Sequence, residues 1–471
     1  MLIENANRDP FLSFWLRVRE FAVPPSMIET ATARRHAGDW SGACAAAGID
    51  VDLKPRSLAR THGSELATRV RTDLRHLVPD LLRWHLPRIA PHGLLRPGLT
   101  IALARYDSEE PGGRAPVHLV VRTPPAWADA GQRISLALWD GSRTEAGARR
   151  HPHPHPSRRF RLDLHRHLWD ARRTGELRGR SGADRPADGG EPEPDRTVRD
   201  MVPRGRRCAV GRWADEAAQL LRAEGGSATA GTFLVRFGGR HRLLLSLDAD
   251  DDGAGAHVLR LTPAPAAGAG TAPPVLPDAA TWALPDLELI RTGAVDAGRL
   301  HPLVASALVP DHVPVRPSPV PDGAGQPRPV ECRGARHRIG LVDGVLVPLD
   351  HDPAEVRREE LLAALTGTPM PCLQAIDAAH RRPECLDGVR ERLDHGDITG
   401  ALAVVEGLLG PGAVLRSGAL RDELETAAQR RIDYCLFRAD LMGHGPGSGR
   451  PEHPRSRDRH PYRLPRHATF R

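Results

Sequence analysis

The alternation of apolar and polar positions changes character along the chain. Phe11, Phe14, Trp15, Val18 and Phe21 recur at helical spacing and predict an early core helix. A second helix is expected after Pro24-Pro25, with Ser26 and Glu29 fitting a capping box and a stop at Gly38. Asp39 can then cap a short helix from Trp40 to Ala47, giving a tight helical hairpin. Leu58–Leu86 reads as two or three helices broken at Gly63 and Pro79. From residue 99 the period becomes two. Leu99–Tyr106, Val117–Arg122 and Ile134–Trp139 are predicted strands of an antiparallel meander, and Arg158 to about Arg178 is predicted to be a further helix.

Residues 181–200 have linker composition. A helix around Trp213, Ala217, Leu220 and Leu221 follows, then strands at Gly231–Phe237, His241–Leu247 and His257–Leu261. Asp286–Arg291 is a candidate strand, and Asp296 a candidate cap for a helix ending near Leu308. After a Pro-rich stretch at 310–330, Arg336–Leu341 and Val345–Leu349 flank Asp343-Gly344, the two-residue signature of a hairpin turn. Asp352-Pro353 opens a helical region that runs to Leu441.

These elements predict an α+β, multi-domain chain in which antiparallel sheets pack with helices and the C-terminal unit is helical. The expected boundaries are a helical and sheet domain at 1–180, a linker at 181–200, a small α/β unit at 201–309, a Pro-rich linker at 310–330, a hairpin plus helical unit at 331–441, and a disordered basic tail at 442–471.

Charge alters that picture in two places. Lys54 is the single lysine among 66 basic residues, so the arginine richness reflects a high-GC coding bias as much as a binding need. Residues 149–180 nevertheless net +7 and residues 443–471 net +5, while the whole chain nets +7, so the remainder is acidic. The first segment offers Arg158, Arg159, Arg161, Arg166, Arg172 and Arg173 to an anionic partner, and the second offers Arg455, Arg457 and Arg459. Contacts of this kind with nucleic acid would be weak, sequence-independent and sensitive to salt.

The candidate chemistry is sparse. Asp248-Ala-Asp250-Asp251-Asp252-Gly253 opens like a calcium loop, but its twelfth position is Leu259, where a bidentate Glu is required. His151-Pro-His153-Pro-His155 favours polyproline II, which turns side chains two apart away from each other. Asp163 and His167 fall at helical i, i+4 spacing but supply only two ligands. The six cysteines, Cys44, Cys208, Cys332, Cys372, Cys385 and Cys435, include no Cys-x-x-Cys pair and read as reduced thiols of a cytoplasmic protein. Cys44 and Cys372 lie near expected helix starts and read as packing residues. Nucleophile-elbow, zincin, Walker and dinucleotide signatures are absent. No catalytic residue, cofactor or metal site is therefore expected. The first residues lack a signal-peptide pattern, and no apolar run reaches the ~20 residues that span a bilayer, so no membrane partner is expected.

One internal echo joins the two ends of the chain: Gly38-Asp39-Trp40-Ser41-Gly42-Ala43 recurs as Gly396-Asp397-Ile398-Thr399-Gly400-Ala401. The second copy continues through Val404-Val405, Leu408-Leu409 and Gly412-Ala413. Residues 387–413 thereby resemble a single ankyrin repeat helix pair, and are similar at the Gly-Asp turn to a tetratricopeptide pair. Either resemblance implies protein–protein binding without catalysis. The expected function is a non-enzymatic interaction or adaptor protein with an unidentified protein partner. The alternatives are a nucleic-acid or acidic-partner binder, and an enzyme whose site is assembled from distant segments.

Overall fold

The computed structural model describes residues 9–107, 115–129, 131–141, 151–184, 206–225, 231–238, 241–249, 257–264, 273–312, 328–342, 345–381, 386–409, 415, 417–439 and 441. It is a mixed α+β, multi-domain architecture of several antiparallel sheets packed against helices, with a helical C-terminal unit. The chain divides into two units, a larger one of residues 1–127 and 133–315 with 444–471, and a smaller one of 128–132 and 316–443.

The larger unit opens with α1 (Pro10–Arg17), capped by Asp9, whose carboxylate accepts the Phe11 N–H at 2.8 Å. A π-helical turn, Val18–Ala22, extends it. The helical hairpin follows as α2 (Pro25–His36) and α3 (Trp40–Ala46). Pro24 sits at the N-cap of α2 and Ser26 lies inside the helix, so the expected capping box does not form. Pro25 at the first position replaces it, since its missing N–H needs no partner there. Next come β1 (Ile49–Val51), α4 (Pro55–His62), α5 (Ser64–His76) and α6 (Pro79–His85), broken at Gly63 and Pro79.

The short hairpin β2 (Arg88–Ile89) and β3 (Leu94–Leu95) leads into β4 (Thr100–Tyr106), β5 (Val117–Arg122) and β6 (Ile134–Trp139). The meander is present, and β1 joins β6 in parallel to give the order β1-β6-β5-β4. Only Arg105 of β4 is exposed, so helices and later segments cover both faces of this strand. A single apolar cluster runs from Phe11 through Leu82, Ile101, Leu119, Leu136 and Trp169 to Leu308.

The helix expected over Arg158 to Arg178 is not there. The segment forms a bridge at Arg161, 3-10 turns at Arg166–Leu168 and Thr174–Glu176, and the short α7 (Leu177–Ser181). Its backbone groups are spent on neighbours: Val78 N–H donates to the Trp169 carbonyl, and Ala171 N–H to the His76 carbonyl. Tertiary hydrogen bonds thus displace the i→i−4 ladder.

Residues expected to form a separate domain at 201–309 share this unit. Here α8 (Trp213–Ala223) packs on an antiparallel sheet of β7 (Gly231–Arg236), β8 (Arg242–Ala249) and β9 (His257–Pro263), around Trp213, Phe233, Phe237, Leu243 and Leu245. After α9 (Asp278–Thr281), Pro285–Arg291 is a helix, α10, where a strand is expected. Pro285 at its first position and the acidic Asp286 and Glu288 in its first turn favour that choice. Leu284, Leu287 and Leu289 then join the N-terminal core. The last helix, α11 (Pro302–Leu308), is capped by His301, whose ring accepts from Leu303 N–H at 3.2 Å; Asp296 precedes only a 3-10 turn.

In the smaller unit, β10 (Arg328–Cys332), β11 (Ala335–Val342) and β12 (Val345–Pro348) form an antiparallel sheet. Val342 pairs with Val345, the register required by the two-residue turn. Five helices follow: α12 (Pro353–Thr366), α13 (Pro371–Arg381), α14 (Leu386–His395), α15 (Ile398–Leu409) and α16 (Ala419–Ala439). The expected linker at 181–200 falls outside the described residues beyond Asp184, as do most of 310–330 and, Leu441 apart, the basic tail.

Candidate functional site: an arginine-lined cavity

The larger unit encloses a cavity of about 540 Å³, within the range of small-molecule sites. Nine arginines line it, against one acidic residue, Asp278. Aromatic side chains (Phe11, Phe14, Trp15, Phe160, Phe237 and Trp282) supply much of the remaining wall.

Several of these arginines are neutralised by carboxylates. Arg161 pairs with Asp163 and Glu224, Arg180 with Glu216, and Arg207 with Asp9 and Glu288. Arg88 is fully buried and donates to the Gly93 and Arg83 carbonyls at 2.8 and 2.6 Å. Burial, with Arg83 beside it, pushes its guanidinium well below the ordinary arginine range.

Arg96 and Arg206 differ. Among the described residues neither side chain has a carboxylate or carbonyl hydrogen-bond partner, and both converge with Arg159 on Asp278. Arg159 takes the carboxylate, donating to Asp278 Oδ1 from Nε at 2.9 Å and from Nη2 at 2.6 Å. Burial first, and Arg159 next to them, lower the guanidinium pKa of both Arg96 and Arg206, while Asp278 opposes the shift. Burial would raise the Asp278 carboxyl, but Arg159 and Arg206 outweigh it and hold the group below its ordinary value. Three cations around one anion leave two positive charges uncompensated in a concave, partly dehydrated site. That is costly unless an anion completes it.

The backbone fixes this geometry. Arg96 follows β3, and its N–H donates to the Pro87 carbonyl at 2.8 Å. Arg206 precedes a two-strand bridge, Cys208 to Trp282, in which Ala283 N–H donates to the Arg207 carbonyl and Ala209 N–H to the Thr281 carbonyl. Its guanidinium lies over the Trp282 ring, 4.7 Å from the centroid, as Arg159 lies over Phe160 at 5.1 Å. Stacking of this kind orients a guanidinium without neutralising it. His85, on the cavity wall, is pushed down to about 4 chiefly by burial, so it is a neutral imidazole near pH 7.

The residues singled out in the sequence scatter. Arg159 and Arg161 line the cavity. Arg166 and Arg172 both bind Asp73 and Asp170 beneath Tyr106, whose hydroxyl donates to Asp73 at 2.8 Å. Arg173 pairs with Glu176, and Arg158 is exposed. Arg455, Arg457 and Arg459 lie outside the described residues. His151 is buried and bonds to the Thr123 and His153 carbonyls at 2.8 and 2.9 Å, so the His-Pro run serves as a structural loop here. Residues 250–256 of the Asp-rich run lie outside the described residues. Cys44 is buried within α3, and burial followed by Asp39 raises its thiol to about 12. Arg96 and Arg206 carried no usable sequence signal: Arg96 lies between Leu95 and Pro97, and Arg206 in the short run Arg204-Gly205-Arg206-Arg207 of a chain rich in arginine.

The smaller unit holds a second cluster. Cys332, His351 and Cys372 each place a potential ligand atom within 4.8 Å of the others, the one such group among the described residues. No known family model, curated protein or solved structure matches the chain.

Proposed function

We propose that the larger unit binds a small organic anion, with a carboxylate, sulfonate or phosphate held by Arg96, Arg206 and Arg159 and an apolar or aromatic body against Trp282, Phe237 and Phe160. The observation that carries this reading is the pair of half-buried, uncompensated guanidinium groups facing the cavity. It deepens the acidic-partner alternative and gives the 149–180 segment a defined part in it. Arg159 and Arg161 contribute to the cavity, and the segment's other cations are largely occupied by carboxylates. The test is a titration with anilinonaphthalene sulfonate beside its uncharged parent, N-phenyl-naphthylamine. Saturable binding of the sulfonate, at least about tenfold tighter than the parent and weakened by Arg206→Gln, is expected from a charge-assisted contact. Equal affinity for both probes would refute it.

A protein-interaction role is the second reading, and α12 favours it. Leu361, Leu362 and Leu365 are 65%, 50% and 86% exposed on that helix. Leu361→Glu with Leu365→Glu should abolish capture of a protein partner if this helix carries it.

A further inference from the structure

Cys332 closes β10, where the chain reverses through Arg333 and Gly334, both with positive φ (52° and 79°). Cys372 is the second residue of α13, whose first residue is Pro371. His351 lies in the short connection between β12 and α12. That connection is pinned from β11: Asp350 accepts the Arg338 backbone N–H at 2.7 Å and pairs with its guanidinium at 2.7 Å. Three segments separated by about twenty residues each thus deliver one soft or borderline donor to one point.

Both cysteines are fully buried, and the His351 side chain is 4% exposed. His337 stacks on the His351 ring, with centroids 4.1 Å apart and planes inclined by 16°. Glu355 Oε2 stands 3.5 Å from His351 Nδ1, while the buried Nε2 has no hydrogen-bond partner. A carboxylate on one imidazole nitrogen and a vacant lone pair on the other is the usual environment of a metal-bound histidine. An apolar packing role would leave that buried nitrogen unsatisfied.

We propose that Cys332, Cys372 and His351 bind one zinc ion, with Nε2 of His351 as its nitrogen ligand. Two thiolates and an imidazole are a soft-to-borderline set that suits zinc and disfavours calcium or magnesium. The group has three members among the described residues, so a fourth position is left for water or another donor. Both thiols lose their protons on binding, and the ion takes their place between β10, α12 and α13. Without it, burial first and the Cys332 sulfur next raise the Cys372 thiol to about 11. Zinc affinity should accordingly fall by up to about a hundredfold for each pH unit of acidification, as expected for release of two protons.

The test uses the full chain purified from zinc-supplemented medium. About one zinc per chain is expected, lost in Cys332→Ser and in Cys372→Ser and kept in the control Cys435→Ser, whose thiol is exposed. Because the serine variants can misfold, the wild-type protein is also stripped and titrated with cobalt. Thiolate-to-cobalt charge-transfer absorption together with intense visible bands is expected, and His351→Gln should weaken the visible bands while sparing the charge transfer. A cobalt titration without thiolate absorption, or full zinc content in the double serine variant, would overturn the proposal. A Cys332–Cys372 disulfide in the freshly isolated, unoxidised protein would overturn it as well.

Discussion

The same turn occurs in both units, at Gly38-Asp39 and at Gly396-Asp397. Each glycine has positive φ, 77° and 83°. Each aspartate accepts the N–H three residues on, Gly42 at 2.8 Å and Gly400 at 2.9 Å. Each aspartate N–H returns to the carbonyl five residues back, and the arginine there, Arg34 or Arg392, also grips the carboxylate at 3.0 or 2.9 Å. What differs is the setting. The Asp39 side chain is 40% exposed and Asp397 is 7% exposed. Local turn chemistry is therefore portable, and the surroundings decide how much it stabilises.

That contrast extends to whole units. Among the described residues, 42 buried apolar residues form the main cluster of the larger unit, against 11 in the smaller. The larger unit also buries carboxylates among arginines, as at Asp170, whereas pairs such as Arg390–Glu423 in the smaller unit are half-exposed. All eight tryptophans belong to the larger unit. Tryptophan fluorescence thus follows one unit, while far-ultraviolet dichroism follows both.

The sharpest break in the comparison is expected from buried charge. Asp170→Asn should cost the larger unit about 3–5 kcal/mol, because Arg166 and Arg172 lose a fully buried carboxylate. Glu423→Gln in the smaller unit should cost under about 1 kcal/mol, as for exposed pairs. Urea unfolding followed by fluorescence and dichroism checks both; comparable losses would refute the distinction.

Acid should act next, and on the larger unit. Burial lowers His85 to about 4, holds His165 and His167 well below the ordinary value, and lowers His118 and His151. The unfolded chain takes up these protons from about pH 6.5 downward, before the folded chain does. Stability is therefore full above about pH 6.5 and falls as pH drops toward 4, by about 3 kcal/mol from His85 alone. The tryptophan-detected urea midpoint should fall across that window; a flat profile would contradict the buried neutral histidines.

The smallest effect compares the two turns themselves. Asp397→Ala should cost about 1–2 kcal/mol, toward the upper end of the range for lost helix caps, and Asp39→Ala should cost less. Dichroism reports the first and fluorescence the second. A reversed order would mean that burial does not set the strength of the cap.

Much of this fold was legible in the sequence where local chemistry decides. The meander, the pairing of β11 with β12 and both Gly-Asp turns are fixed by alternation, glycine conformation and caps. Sequence reasoning failed where tertiary contacts take over. Residues 158–178 surrender their helix to bonds with residues 73–78, and the short apolar run of 286–291 fits a strand or a buried helix equally well. The sites were hidden for the same reason. Cys332, His351 and Cys372 have no close spacing, and Arg96 and Arg206 are distinguished only by what they lack in three dimensions.

The central claim is that Arg96 and Arg206 are held uncompensated for a ligand. The most direct test measures two quantities on Arg206→Gln: melting temperature without ligand, and affinity for anilinonaphthalene sulfonate. Removing an unpaired, partly buried charge should stabilise the empty protein by about 1 kcal/mol, a rise of about 2–4 °C, while affinity falls at least about tenfold. A lower melting temperature with unchanged affinity would contradict the account and make Arg206 a structural residue.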